Sequence, residues 1–273
     1  MHPDMPKIEC PFVRKTYKIN KRDWEKHGSK MNLRTPEVYL VTPEINPTCS
    51  WVFEEENVFA SEKLHGTNVL VDIQDRRLVG VQNRKNVIDI TRILGKGDGS
   101  HPSGRILEGL LYAADMKLIK DNSVQYGELI GPKFNLNMHK LTHHLWFPFE
   151  KARESLRYKS FDRFPKEFYG WSEWFRTGLK SLIYCRLNKI PFSQMWGEDV
   201  PFTEGIVIHQ PRKDNLEMPR MSKLRRDMYP WYYWDKIEIY DLDESWINYA
   251  HDKGIKDIKG YHLGENHVEE REE

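Results

Sequence analysis

The chain has 273 residues, 39% hydrophobic and 30% charged, so it can bury a sizeable core. No apolar run approaches the ~20 residues of a membrane span, and the odd, unclustered Cys10, Cys49 and Cys185 argue against a disulfide framework or a zinc site. Net charge is +1, but the last ten residues, GENHVEEREE, hold five Glu and one Arg, a net of −4, which leaves a basic body at +5. A basic body is a weak sign of polyanion binding. The N-terminus, MHPDMPKIECPFVRK, lacks the apolar core of a signal peptide, so an intracellular protein, cytoplasmic or nuclear, is expected.

Residues 1–45 mix charge with scattered apolar positions and read as an arm or small subregion. YLVTPEINP reads as a short strand stopped by prolines. Lys15, Lys18, Lys21 and Arg22 read as a solvated face, with contact to nucleic acid as the alternative. The next stretch, VFASEKLHGTN (58–68), runs apolar residues into a Glu-Lys pair and a turn through His65 and Gly66, and Val69–Ile73 forms a second strand. Lys63 is therefore pinned at a strand end. A lysine held among other cations and partly desolvated titrates lower and can attack an electrophile; the plain alternative is a strand-end lysine that reaches water.

EKLHGTN resembles motif I of the covalent nucleotidyltransferases, the lysine-AMP superfamily of RNA ligases, DNA ligases and mRNA capping enzymes. His65 with Thr67-Asn68 is similar to the RNA-ligase branch that includes phage and kinetoplastid editing ligases. The resemblance makes Lys63 the residue that carries AMP and draws Glu62 and Asn68 into the nucleotide site.

Val69–Ile73 and Leu78–Gln82 read as a hairpin around Gln74–Arg77, and Asn83-Arg84-Lys85 ends the second strand. By the resemblance Arg84 contacts the nucleotide or an RNA 5′-phosphate, for which its planar fork is suited. Gly95–Gly99 reads as a flexible loop, and it lacks the context of a phosphate-binding Walker motif. The spacing predicts a helix over 105–120 with Ile106, Leu110, Leu111, Ala114 and Leu118 on its core side.

Val124–Ile130 is a strand with a carboxylate at its heart, and YGELIG resembles motif III. Glu128 then contacts the ribose, and Gly127 lets substrate approach. His139, His143 and His144 have no accompanying carboxylate or cysteine pattern and read as surface or core histidines rather than metal ligands. Leu145–Glu150, LWFPFE, resembles motif IIIa, an aromatic strand. That register makes Phe149 the ring that stacks on adenine, with Trp146 or Phe147 as alternatives, and puts Pro148 at an edge or bulge.

Trp171–Arg186 has helical spacing, burying Trp174, Phe175, Leu179, Leu182 and Ile183, and Met195–Val200 reads as a loop. TEGIVI (203–208) resembles motif IV. Glu204 is the leading metal candidate, with Glu128 second, since Mg²⁺ takes oxygen ligands and binds triphosphates through one or two carboxylates. MSKLRR (221–226) resembles motif V; alternation puts Lys223 and Arg225 on one face, both toward the α-phosphate. YPWYYW (229–234) is an aromatic cluster, Asp243–Tyr249 reads as a last helix, and the acidic end reads as disordered.

The set implies an α+β adenylation domain over residues 46–240, of antiparallel sheets flanked by helices with the nucleotide in the groove between them. Residues 241–273 supply a helix and an acidic tail, too few for an OB-fold. The implied activity is ATP-dependent joining of RNA 3′-OH and 5′-phosphate ends with Mg²⁺ or Mn²⁺, through lysine-AMP and RNA-adenylate. Lys63, Lys223 and Arg225 are the implied catalytic set, and a protein partner is one way to replace the missing C-terminal domain. The alternatives are a nucleic-acid-binding protein with an inactive fold, or a DNA ligase or mRNA guanylyltransferase. Intact Lys63, Glu128 and Glu204 oppose the first; His65 and the missing OB-fold oppose the others.

Overall fold

A computed structural model describes residues 2–3, 7–84, 86–94, 102–211, 220–255 and 257–262. In chain order the elements are β1 (Phe12–Lys18), α1 (Lys21–His27), β2 (Glu37–Ile45), α2 (Trp51–Glu54), β3 (Phe59–Lys63), β4 (Thr67–Gln74), β5 (Arg77–Asn83), β6 (Asn86–Val87), α3 (Ile90–Leu94) and α4 (Pro102–Asp115). They continue with β7 (Ser123–Ile130), β8 (Leu145–Pro148), α5 (Phe149–Ser155), α6 (Phe168–Thr177), α7 (Leu182–Leu187), β9 (Gly205–His209), β10 (Met221–Arg225), α8 (Glu244–Asp252), β11 (Asp257–Ile258) and β12 (Tyr261–His262).

These elements gather into two units, one of residues Met1–Pro11 and Pro47–Leu224, the other of Phe12–Asn46 and Arg225–Glu273. The first holds a five-stranded antiparallel sheet of order β6-β5-β4-β7-β8 and a three-stranded sheet of order β10-β9-β3. This is the expected α+β arrangement of antiparallel sheets with helices. β4 is central in its sheet, and Val69, Leu70 and Val71 are buried on both of its faces. The β4–β5 hairpin turns at Asp75-Arg76, both at positive φ (47° and 61°), as a tight two-residue hairpin turn requires. The helical face of α4 differs from the expected one. Ile106, Leu110 and Ala113 are buried, whereas Leu111 is 62% exposed and Ala114 faces solvent. The i, i+4, i+7 stripe wins because Gly109 lets the helix approach Leu129 and the Trp146 backbone closely.

Two other expectations are corrected in this unit. The helix expected over 171–186 is two helices, α6 and α7. Gly178 caps the first, its N–H bonding the Trp174 carbonyl, and the Ser181 side chain accepts from Tyr184 N–H to start the second. The aromatic strand stops at Pro148, which leads directly into α5, so Phe149 opens a helix. Proline has no N–H for a ladder and suits the position before a helix. Trp146 and Phe147 remain in the strand at 0% exposure, and Trp146 Nε1 donates to the Val69 carbonyl at 2.9 Å. Full burial of such a ring stabilises by about 1.5–3 kcal/mol.

In the second unit β1 and β2 pair antiparallel, with a register irregularity between Phe12 and Arg14. β2 runs through Pro43, which sits opposite that irregularity, where its missing N–H costs no regular ladder bond. Tyr17 Oη donates to Asp243 Oδ2 at 2.8 Å, and Lys15 lies 3.4 Å from the same oxygen. Tyr229, Trp234, Trp246 and Tyr249 make a ring cluster with centroids 5.4–6.4 Å apart. Gly95–Gly99 and the acidic end lie outside the described residues. Among the described residues no helix is long and apolar enough to cross a membrane.

Candidate active site

Lys63 is the last residue of β3, whose pairing with β9 sets it opposite Gly205. Strand alternation sends the Ser61 and Lys63 side chains to one side and that of Glu62 to the other. On the Lys63 side lies a cavity of about 390 Å³. Its wall draws on both sheets of the first unit, including Asn68 from β4, Glu128 from β7, Val207 and His209 from β9, and Lys223 from β10. Phe149 and Ala152, one turn of α5 apart, close one side, and Arg84 stands at another.

Nζ of Lys63 donates to Glu204 Oε2 at 2.6 Å, in an ion pair whose side chains are 20% and 8% exposed. Glu204 immediately precedes β9, so the same register that places Gly205 opposite Lys63 delivers its carboxylate to the amine. Thr203 Oγ1 donates to the Lys63 carbonyl, which ties the two chain segments once more. Glu128 is the cross-strand partner of Asn68 and accepts the Gly66 N–H at 3.0 Å. Its pKa is pushed up to about 7 by burial, with the Glu204 charge adding, while Lys63, the Gly66 N–H and Arg84 oppose the rise. Gly66 is required by space: a Cβ there would lie 2.0 Å from the Leu129 carbonyl oxygen.

Arg84 has φ 52°, in the left-handed region, directly after β5. The Gln82 side chain holds this turn, donating to the Arg84 carbonyl and, at 2.9 Å, to that of His2. Along β10 Ser222 and Leu224 are buried, while Met221 and Lys223 line the cavity. Residues just before β1 run beside this strand, the Glu9 carbonyl accepting from Lys223 N–H at 2.8 Å and Ser222 Oγ at 3.0 Å. This brings Lys7 and Ile8 to the cavity.

Of the residues expected to meet the nucleotide, the structure brings Lys63, Asn68, Arg84, Glu128, Phe149 and Lys223 to one cavity, with Glu204 bonded to Lys63. Glu62 also lies at the wall, but its carboxylate points into the core. Oε1 accepts from Ser181 Oγ and Oε2 from Ile183 N–H, both at 2.7 Å, so only its backbone is left for a ligand. Arg225, expected beside Lys223 at the α-phosphate, is not among the lining residues; it begins the second unit, with its Nε 3.0 Å from Asp227 Oδ1. The Asp227 carboxylate competes for the guanidinium. Gly127 does not open the site to substrate either. A Cβ there would strike the Trp146 ring at 2.6 Å, so the glycine serves packing. Trp146 and Phe147 are sealed in the core, leaving Phe149 as the ring of that segment at the cavity.

His139 is buried, His143 is exposed, and His144 binds Glu108 at 2.6 Å. Ser61, His209, Lys7 and Ile8 are lining residues that the sequence reading passed over. Period-two extension of Lys63 and Val207 reaches Ser61 and His209; nothing local in the sequence points to Lys7. Ser61 Oγ and His209 Nε2 are 2.7 Å apart. His209 stacks on Phe59 with centroids 5.0 Å apart, and Arg157 sits 4.2 Å above the other ring's centroid. Burial, with Arg153 and Arg157 adding, holds the His209 pKa down to about 3, so it is neutral at ordinary pH.

A groove between antiparallel sheets gathers a lysine, two carboxylates, cations and an aromatic ring, the combination expected of a covalent nucleotidyltransferase. The family model for RNA ligase matches residues 56–225. The chain belongs to the RNA ligase family, whose members join RNA ends at the expense of ATP. No curated protein matches it.

Proposed function

We propose that Lys63 is the nucleophile of a three-step RNA ligation and that the cavity around it is the ATP site. Nζ attacks the α-phosphorus, the bond to pyrophosphate breaks, and a lysine–AMP phosphoramide forms. The amine must lose a proton to do so, and Glu204 Oε2, at 2.6 Å, is positioned to accept it. AMP then passes to an RNA 5′-phosphate, and an RNA 3′-hydroxyl displaces it. Phosphoryl transfer depends on charge neutralisation and in-line placement, and Lys223 and Arg84 are the cavity cations suited to the phosphates. Phe149 covers the base, and Asn68 with Glu128 faces the sugar.

The donor set suits a divalent cation. Among the described residues no group of three or more His, Cys, Asp or Glu gathers, but Glu204 and Glu128 lie close enough for one charge to raise the other's pKa. One or two carboxylates, completed by water and substrate phosphates, is the usual protein share for Mg²⁺. Bound there, the cation would neutralise triphosphate charge.

The His65-Gly66-Thr67-Asn68 sequence favours the branch of phage and kinetoplastid editing ligases. The single observation that carries the proposal is the Lys63–Glu204 pair beside the cavity. Incubation with ATP or GTP labelled at the α-phosphate, followed by a denaturing gel, tests it: label is expected from ATP and absent with Lys63→Ala. Label retained by Lys63→Ala overturns it.

A further inference from the structure

The buried side of β3 holds a polar cluster that the reaction as described does not use. Glu62, His139 and Ser181 are all 0–2% exposed. His139 Nε2 accepts the His65 N–H at 3.0 Å, so the proton of the neutral ring is on Nδ1. Nδ1 faces Glu62 Oε1 at 3.3 Å and Ser181 Oγ at 3.1 Å. The Glu62 carboxylate is fixed in turn by Ser181 Oγ and the Ile183 N–H at the start of α7. One imidazole therefore grips the chain on both sides of Lys63: the side chain of the residue before it and the backbone two residues after it.

We propose that His139 is a positioning residue for self-adenylylation, holding the Glu62–His65 segment so that Lys63 Nζ is aimed into the cavity. The proposal rests on the assignment of Lys63 as nucleophile. The bond that matters most is the one to His65 N–H, because it fixes the backbone of the turn that directly follows Lys63. A part-buried donor that loses its acceptor destabilises its segment, and the turn would shift to find another. A displacement of about 1 Å at a reacting group can cost ~10²-fold in rate. The ATP wall itself does not include His139, so nucleotide affinity should be spared.

The test uses the full chain with His139→Ala, His139→Asn and His139→Gln. A glutamine carbonyl reaches about where Nε2 lies, whereas asparagine reaches only the Nδ1 position. For each protein one measures the single-turnover rate of self-adenylylation against ATP concentration, and the sealing of a pre-adenylylated RNA strand, which bypasses attack by Lys63. His139→Ala should lose ~10²-fold in maximal adenylylation rate with unchanged ATP half-saturation, and should still seal the pre-adenylylated strand. Gln should recover much of the rate and Asn little. A parallel fall in both activities, equal impairment of Gln and Asn, or a wild-type rate in His139→Ala overturns the proposal. A wild-type chain that never takes label overturns the Lys63 assignment itself, and the His139 role falls with it.

Discussion

Replacing Phe149 tests how the cavity holds the base. Phe149 opens α5 at the cavity, while the two aromatic residues before Pro148 are fully buried and unable to turn outward. No ring of this segment can substitute for it. Stacking of a base on an aromatic side chain contributes about 1–3 kcal/mol, which corresponds to about 5- to 150-fold in affinity. Phe149→Ala should raise the ATP concentration for half-maximal self-adenylylation by that factor. Phe149→Leu keeps apolar cover and should lose less. The assay is a quantitative labelling curve over ATP concentration, with melting temperature as a check on the fold. Phe149 is half-buried, so the melting temperature separates a loss of packing from a loss of stacking. An Ala variant whose curve overlays wild type refutes the stacking role and leaves the base to the backbone of Glu62 and the Val207 wall.

Other outcomes follow from the electrostatics. Glu128 keeps its proton up to about pH 7, so adenylylation that needs its charge should rise through that pH, and Glu128→Gln should flatten this limb of the pH–rate profile; an unchanged limb would assign it to another group. The raised carboxylate pKa also means that the native state holds a proton the unfolded chain has released, so Glu128 makes stability fall as pH rises from 4.5 to about 7. His209 has the opposite effect. Its pKa is depressed to about 3, so its contribution is present above the unfolded value of 6.5 and is lost as pH falls toward 3. His209→Gln should reduce the acid sensitivity of the melting temperature, and a parallel pH curve in both proteins would refute this. Glu204→Gln removes both the proton acceptor and the charge facing Lys63, so it should slow adenylylation at saturating Mg²⁺ and raise the Mg²⁺ concentration needed, measured by titration with the cation; an unaltered requirement would exclude Glu204 from the metal site. Deletion of residues 1–11 removes Lys7 and Ile8 from the cavity wall and should impair adenylylation as well as joining. Loss of joining alone would mean the segment acts only on RNA.

The legible part of this site is the part written in strand periodicity. Lys63, Glu128, Glu204 and Lys223 each lie on or beside a strand whose alternation can be read without the fold, and the structure sets them around one cavity or one ion pair. Arg225 shows the limit: alternation gives its face correctly, yet Asp227 is two residues on and takes part of its guanidinium. Phe149 was readable as an aromatic residue of the site but not as a helix start, because Pro148 permits either a bulged strand or a helix entry. The break between α6 and α7 was hidden by apolar residues on both sides that continue a helical stripe across Gly178. His139 carries no local signal at all, since its role comes from contacts with residues 62, 65 and 181 that only the tertiary fold brings together.

One covalent bond tests the role of Lys63 most directly. After incubation with labelled ATP, proteolysis and mass spectrometry should find a single AMP adduct, acid-labile and carried by Lys63, and it should disappear when the protein is given RNA with a 5′-phosphate. An adduct on another lysine, or none on a folded protein supplied with ATP and Mg²⁺, would contradict it.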